Sequence, residues 1–186
     1  MASPASPATR APRRGWVAML SPRPPAALAL VIMTAAIGAA WAFEVVGGFA
    51  PCPLCLEQRL GYYGAIPLTF LALGLAPHAA VLARLALLAA AGLIAWSAWL
   101  GVTHAGAEWG YWPGPDTCAA AAQTTVRDAS TLLAAIGEAS VESCTEVQGR
   151  VLGLSFAGWN VLTAASSAVL LAAAALAPRR PREAEG

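Results

Sequence analysis

Cys52 and Cys55 stand three positions apart in residues 49–64, FAPCPLCLEQRLGYYG, and Arg59 follows Cys55 by one helical turn. A close thiol pair supports three chemistries: reversible disulfide exchange, a static bridge, or half of a metal site. The apolar run that follows has the length of a helix, so Cys55 opens one, where free backbone amides and the helix dipole favour an anion. Arg59, four residues on, shares the face of Cys55. Both influences lower a thiol's pKa, and the thiolate is the reactive form. A cation at the mouth of an apolar segment is a functional candidate that needs a partner. Here the partner is the Cys55 thiolate or the oxygen of a bound electron acceptor. The competing reading of Arg59 is a side chain that snorkels to lipid headgroups.

The remaining cysteines, Cys118 and Cys144, lie 26 positions apart. Alone, they read as a disulfide closing a flexible loop. Beside a second, reactive pair, exchange between the pairs follows, because a thiolate attacks a neighbouring disulfide sulfur. Zinc prefers two close pairs or a Cys/His set, which the wide spacing fits poorly. No His directly follows Cys55, so covalent haem attachment is not indicated. His104 and Glu108 have an i, i+4 spacing that suits a metal, yet two ligands are not a site, and no metal site is expected. Glu57 and Gln58 read as residues that cap or solvate the helix start.

The elements that carry these residues follow from composition. Of 186 residues, 58% are hydrophobic and 11% charged, against about 25% charged in an ordinary soluble domain. That leaves too little polar surface to cover a soluble core and points to a membrane protein. The formal charge of +1 says nothing about nucleic acid, but no clustered basic face with interleaved aromatics appears, and no nucleic-acid partner is expected. Four runs reach the roughly 20 apolar residues that a crossing needs: about 26–48, 56–76, 81–103 and 152–177. All are rich in small residues that let helices approach closely in lipid. Only PHAA separates the second from the third, which predicts a tight helical hairpin.

Every basic residue is Arg. With four crossings, Arg10, Arg13, Arg14, Arg23, Arg84, Arg179, Arg180 and Arg182 fall on one side, which the positive-inside rule makes cytoplasmic. Residues 1–25 read as a disordered cytoplasmic arm and 178–186 as a cytoplasmic tail. A secretory signal is disfavoured, because the first apolar run is too long and lacks a small-residue cleavage site. The outer loops are then about 49–55 and 104–151. Residues 126–139 (VRDASTLLAAIGEA) suit a short helix lying on the membrane surface. Two crossings separate the cysteine pairs, so both lie on the outer face, where disulfides persist.

In this topology, PCPLCLEQR and CTEVQGRVLGLSFAGWN resemble motifs of the bacterial disulfide bond formation protein B (DsbB) family. The resemblance covers about residues 26–177, and HAGAEWGYWPGPDTC, the stretch before Cys118, is closer to the family's shorter members. It implies an all-α membrane protein of the bacterial inner membrane, a four-transmembrane-helix bundle with one long periplasmic loop and both termini cytoplasmic. It implies a quinone cofactor, ubiquinone or menaquinone, drawn from the membrane lipid and quinone pool. The implied partner is a periplasmic thioredoxin-fold thiol oxidase, DsbA-like, that attacks Cys118 of a Cys118–Cys144 disulfide. Electrons then pass to a Cys52–Cys55 disulfide, and Cys55 as thiolate meets the quinone with Arg59 stabilising the charge. Under the same resemblance His104 either touches the quinone head or is an interfacial His, and Glu44 either faces the bundle near the quinone or is interfacial.

Other readings stay open on the residues alone: a four-helix membrane scaffold with two inert structural disulfides, and an outer-face metal-binding protein. A vitamin K epoxide reductase-like enzyme places its close pair after its shuttle cysteines, the reverse of the order here.

Overall fold

The computed structural model describes residues 23–114, 147 and 149–178. They form α1 (Arg23–Val45), α2 (Pro53–Leu75), α3 (Ala80–Glu108), an antiparallel hairpin of β1 (Arg150–Val151) and β2 (Leu154–Ser155), and α4 (Phe156–Leu176). Most of the arm expected at 1–25, the surface helix expected at 126–139, Cys118, Cys144 and the tail from 179 lie outside the described residues.

Small side chains occupy the interior and large ones the periphery. Ala26, Ala29, Ala65, Ala90 and Ala164 are fully buried, while Phe70, Leu85, Trp96 and Val169 are exposed. That inversion suits helices that pack closely against one another in an apolar solvent. Helices α1, α3 and α4 are long and apolar enough to cross a membrane. Helix α2 has the length, 23 residues, but not the same apolarity. Its first turns carry Glu57, Gln58 and Arg59, followed by the weakly hydrophobic GYYG of 61–64. The expectation of four apolar spans thus holds for length in all four helices and for apolarity in three.

Helix α3 packs along both α2 and α4, and α1 packs on α4 and more lightly on α2. Two glycines set the closest approaches. A Cβ on Gly61 would lie 2.7 Å from the Leu93 carbonyl oxygen, and one on Gly101 would lie 2.8 Å from Asn160 Nδ2. Polar bonds cross the same seams. Ser97 Oγ donates to the Gln58 carbonyl (2.8 Å), Asn160 Nδ2 donates to the Ser97 carbonyl (3.1 Å), and Tyr62 OH donates to Asn160 Oδ1 (2.8 Å). Inside apolar surroundings such bonds bind helices together, at roughly 0.6–2 kcal/mol each. At the far end Arg84 donates to the Ala177 carbonyl at 2.6 Å, capping the last turn of α4.

Two boundaries depart from expectation in ways that matter for the site. Helix α3 runs past the expected end at 103 to Glu108, which puts His104 and Glu108 on one helical face. Helix α4 starts at Phe156 rather than 152, because the hairpin precedes it. Leu152 (φ 53°) and Gly153 (φ 84°) both adopt left-handed backbone, the signature of a two-residue hairpin turn. Ser155 then caps α4 by accepting from the Gly158 N–H (3.2 Å), and Trp159 Nε1 donates to the Val151 carbonyl (2.9 Å), which fastens the hairpin to the helix.

Candidate active site

Cys52 is the residue immediately before α2, in extended backbone (φ −69°, ψ 161°), with Pro53 at the first helical position. Proline suits that position because its missing N–H would be unpaired there. The Cys52 sulfur acts as the cap, accepting the Cys55 N–H at 3.3 Å, and lies 2.9 Å from the Cys55 sulfur. The amides of the helix start therefore serve Cys52, where the sequence pointed to Cys55. The hydrogen bond from the Cys55 thiol pulls the Cys52 thiol well below its ordinary range. Burial opposes this, and the His104 imidazole and the Cys55 amide reinforce it.

Burial separates the two sulfurs. Cys52 is 1% exposed and packs with Leu54 and Leu100. Cys55 is half-buried and lines a cavity of about 310 Å³ between α1, α2, the hairpin and α4; Cys52 is not among the lining residues. The walls are mostly apolar, built from Ala36, Ala39 and Ala40 on α1 and from Phe43, Phe49 and Phe156 at the mouth. These three rings pack edge-on or tilted, with centroids 5.0–6.3 Å apart. The polar lining groups are Arg59, Glu44, Gln58, Tyr62, Asn160 and Thr163. A mostly apolar cavity of this size with a few converging polar groups suits one small, flat ligand.

Arg59 and Glu44, expected near the acceptor, are brought together here. Arg59 Nη1 donates to Glu44 Oε2 at 2.5 Å, and its guanidinium carbon lies 5.8 Å from the centroid of the Trp41 ring. The side chains are 12% and 30% exposed. Trp41 is in turn held by its Nε1, which donates to Tyr63 OH at 3.0 Å. Arg59 pairs with Glu44, fifteen residues upstream, and both share the cavity wall with Cys55, which was expected as its partner along with the oxygen of a bound acceptor.

His104 packs against the cysteine pair but does not line the cavity. It is 4% exposed, with Nε2 3.9 Å from Cys52 Sγ and Nδ1 3.9 Å from Cys55 Sγ. Gln58 Nε2 meets Nδ1 at 3.1 Å, and Glu108 Oε1 lies 3.7 Å from Nε2. Gln58, given no role on sequence grounds, is the side chain that both lines the cavity and touches the imidazole. Tyr62, Asn160 and Thr163 were also missed. Their signal was available, since each is a polar residue inside an otherwise apolar helix.

The arrangement is a thiol pair between an acceptor-sized cavity and a buried imidazole, which suits disulfide exchange coupled to transfer of electrons and protons. No curated protein and no solved structure matches the chain. A family model does, over residues 22–174. That match takes in all four helices, the thiol pair and the cavity, and on it the chain belongs to the family of the disulfide bond formation protein DsbB, membrane proteins of disulfide formation.

Proposed function

We propose that the protein is a thiol:quinone oxidoreductase of the bacterial inner membrane that reoxidises a periplasmic, DsbA-like thioredoxin-fold protein. The observation that carries this reading is the shared wall of the cavity, where Cys55 stands with Arg59 and Glu44 in mostly apolar surroundings. A quinone bound there, ubiquinone or menaquinone, supplies a lipid-soluble acceptor for two electrons and two protons.

The chain's own residues divide the work. The reduced partner attacks Cys118 of the Cys118–Cys144 disulfide, and a second exchange within the partner releases it oxidised, leaving Cys118 and Cys144 reduced. The Cys144 thiolate then attacks Cys52 of the Cys52–Cys55 disulfide, forming a Cys144–Cys52 bond and freeing Cys55 as thiolate beside the cavity. Cys118 attacks the Cys144 sulfur, re-forms its own bridge and leaves the close pair as dithiol. Closing the Cys52–Cys55 bond again releases two electrons and two protons to the acceptor. Arg59 holds negative charge at the ring oxygen. Glu44, already hydrogen-bonded to Arg59, is a route for a proton into the cavity. The 3.9 Å approach of His104 to each sulfur supports a role for it as the base for the thiols.

Helix α2 is the fourth crossing in this reading. Its 23 residues match a bilayer, its packing on α3 covers much of its polar face, and four crossings gather eight arginines on one side. The test uses the purified full-length protein in detergent with a reduced periplasmic thioredoxin-fold protein and either quinone. Quinone absorbance should fall by one equivalent for each partner disulfide formed. An absorbance that stays constant while the protein's own disulfides persist supports the inert scaffold instead.

A further inference from the structure

Two spacings that look unrelated in the sequence meet in the fold. Cys52-x-x-Cys55 opens α2, and His104-x-x-x-Glu108 closes α3. The two sulfurs and a ring nitrogen of His104 all lie within 4.8 Å of one another. We propose that the reduced protein binds a borderline-soft divalent cation, zinc foremost, through Cys52, Cys55, His104 and Glu108, and that this ion holds the pair in the dithiol state.

The separations support a tetrahedral site. With bonds of about 2.0–2.3 Å, the ligand atoms around zinc stand roughly 3.3–3.8 Å apart. His104 Nε2 is 3.9 Å from Cys52 Sγ and 3.7 Å from Glu108 Oε1, so two edges of such a tetrahedron are already close to size. The sulfur–sulfur edge, 2.9 Å, opens by side-chain rotation at the helix start. Two thiolates, an imidazole and a carboxylate are a donor set that zinc accepts. Gln58 is the outer-shell contact. Its Nε2 meets Nδ1 at 3.1 Å; rotating the amide by half a turn would let its oxygen accept an Nδ1–H, fix the ring and leave the Nε2 lone pair of His104 free for the ion.

Glu108 supplies the second, independent observation. Its side chain is 4% exposed, and among the described residues Oε2 has no hydrogen-bond partner. A buried carboxylate oxygen left unpaired costs free energy that a nearby cation offsets. Of the four ligands only Cys55 lines the cavity, so His104 and Glu108 hold the ion from outside the acceptor's walls.

Binding converts two thiols to two thiolates and releases two protons, with no electron transferred. The disulfide form offers no thiolate, so oxidation of the pair expels the ion. The block on turnover rests on the redox reading of the pair; the binding itself does not.

The test uses the full chain with Cys118→Ser and Cys144→Ser, reduced, metal-free and in detergent, titrated with cobalt(II). One equivalent should bind, with sulfur-to-cobalt charge-transfer absorption and the strong visible bands of a tetrahedral centre, and zinc should displace it. Oxidising the pair to a disulfide should abolish binding in the same polypeptide, where folding is not in question. Glu108→Gln and His104→Gln should each weaken it by about tenfold or more. Binding that survives oxidation, or that neither substitution changes, overturns the site, as does no binding at micromolar cobalt. Counting thiols after quinone is added to metal-free protein keeps the two readings apart. Loss of both thiols without cobalt binding sinks the metal site and leaves the redox reading standing; cobalt binding with both thiols retained does the opposite.

Discussion

The two sides of the cysteine pair are built from different materials. On the Cys55 side lies an apolar cavity whose one cation, Arg59, is matched by Glu44 and backed by Trp41. Against both sulfurs lies a buried polar cluster, His104, Glu108 and Gln58, of which only Gln58 also lines that cavity. A disulfide reaction needs both environments. In the proposed reaction electrons leave toward a lipid-soluble acceptor, which wants an apolar chamber with one fixed charge, while thiol protons are taken and returned, which wants a titratable group near sulfur. A single helix start serves both, because Cys55 lines the cavity while both sulfurs stand 3.9 Å from a ring nitrogen of His104.

The contrast is broken most severely at the sulfurs themselves. Cys55→Ser should lower quinone-dependent partner oxidation by about a thousandfold or more, as expected when a nucleophile is lost. Cys52→Ser should be as inactive, yet its free Cys55 thiolate beside bound quinone should give a long-wavelength absorption that Cys55→Ser lacks. That band should fade as pH falls and the thiolate is protonated. Visible spectra of both purified variants across a pH series decide it, and a band in Cys55→Ser instead exchanges the sides.

Next in size is Arg59→Ala. Loss of a charged hydrogen-bond donor, about 1.5–3 kcal/mol, corresponds to roughly a ten- to hundredfold loss, read in the quinone dependence of the rate. The cavity would also keep an unmatched Glu44. Arg59→Lys should recover only part, because an ammonium lacks the planar fork. An unchanged quinone dependence in Arg59→Ala removes Arg59 from the acceptor side.

A smaller, opposite signature is expected from His104→Gln. The imidazole helps hold the Cys52 thiol below its ordinary range, so its loss should raise the pH at which Cys52 becomes a thiolate. Alkylation of the reduced pair below the original midpoint should slow several-fold, while Arg59→Ala leaves that profile in place. Equal shifts in both variants would mean that the two sides are not separate.

The smallest effect on turnover should come from Gly61→Ala, which touches the seam behind both sides. Its Cβ meets the Leu93 carbonyl at 2.7 Å and the Ser97 Cβ at 2.8 Å. Overpacking of this kind costs about 1–3 kcal/mol. Thermal unfolding in detergent should show the loss, with the quinone dependence and the alkylation profile moving little.

Much of this was legible in the residues. The four helices follow from long apolar runs, and the tight link between α2 and α3 from the four residues PHAA. What stayed hidden was either long-range or unusual in type. Arg59 was read against its helical neighbour Cys55, whereas Glu44 sits on another helix and only packing brings it close. Cys52 was not read as a cap, because Ser, Thr, Asp and Asn usually hold that position. The last turn of α3, HAGAE at 104–108, carries His and Glu and so falls beyond the apolar run that marked the span, although Ala and Glu favour helix. Strands of two residues show no alternation to detect, so the hairpin before α4 left only its Leu-Gly turn as a trace.

That hairpin turns a chemical question into one of tether length. Val151 belongs to the same cavity wall as Cys55, and Trp159 fastens the strand pair to α4, so the chain is pinned at the cavity mouth. Cys144 precedes Arg150 by six residues, a leash of at most about 20 Å at roughly 3.3–3.6 Å per residue. For the exchange proposed between Cys144 and Cys52, so short a reach would set an effective concentration of about millimolar or more. Lengthening the leash with flexible residues between Cys144 and Arg150 would then dilute one sulfur against another without altering either.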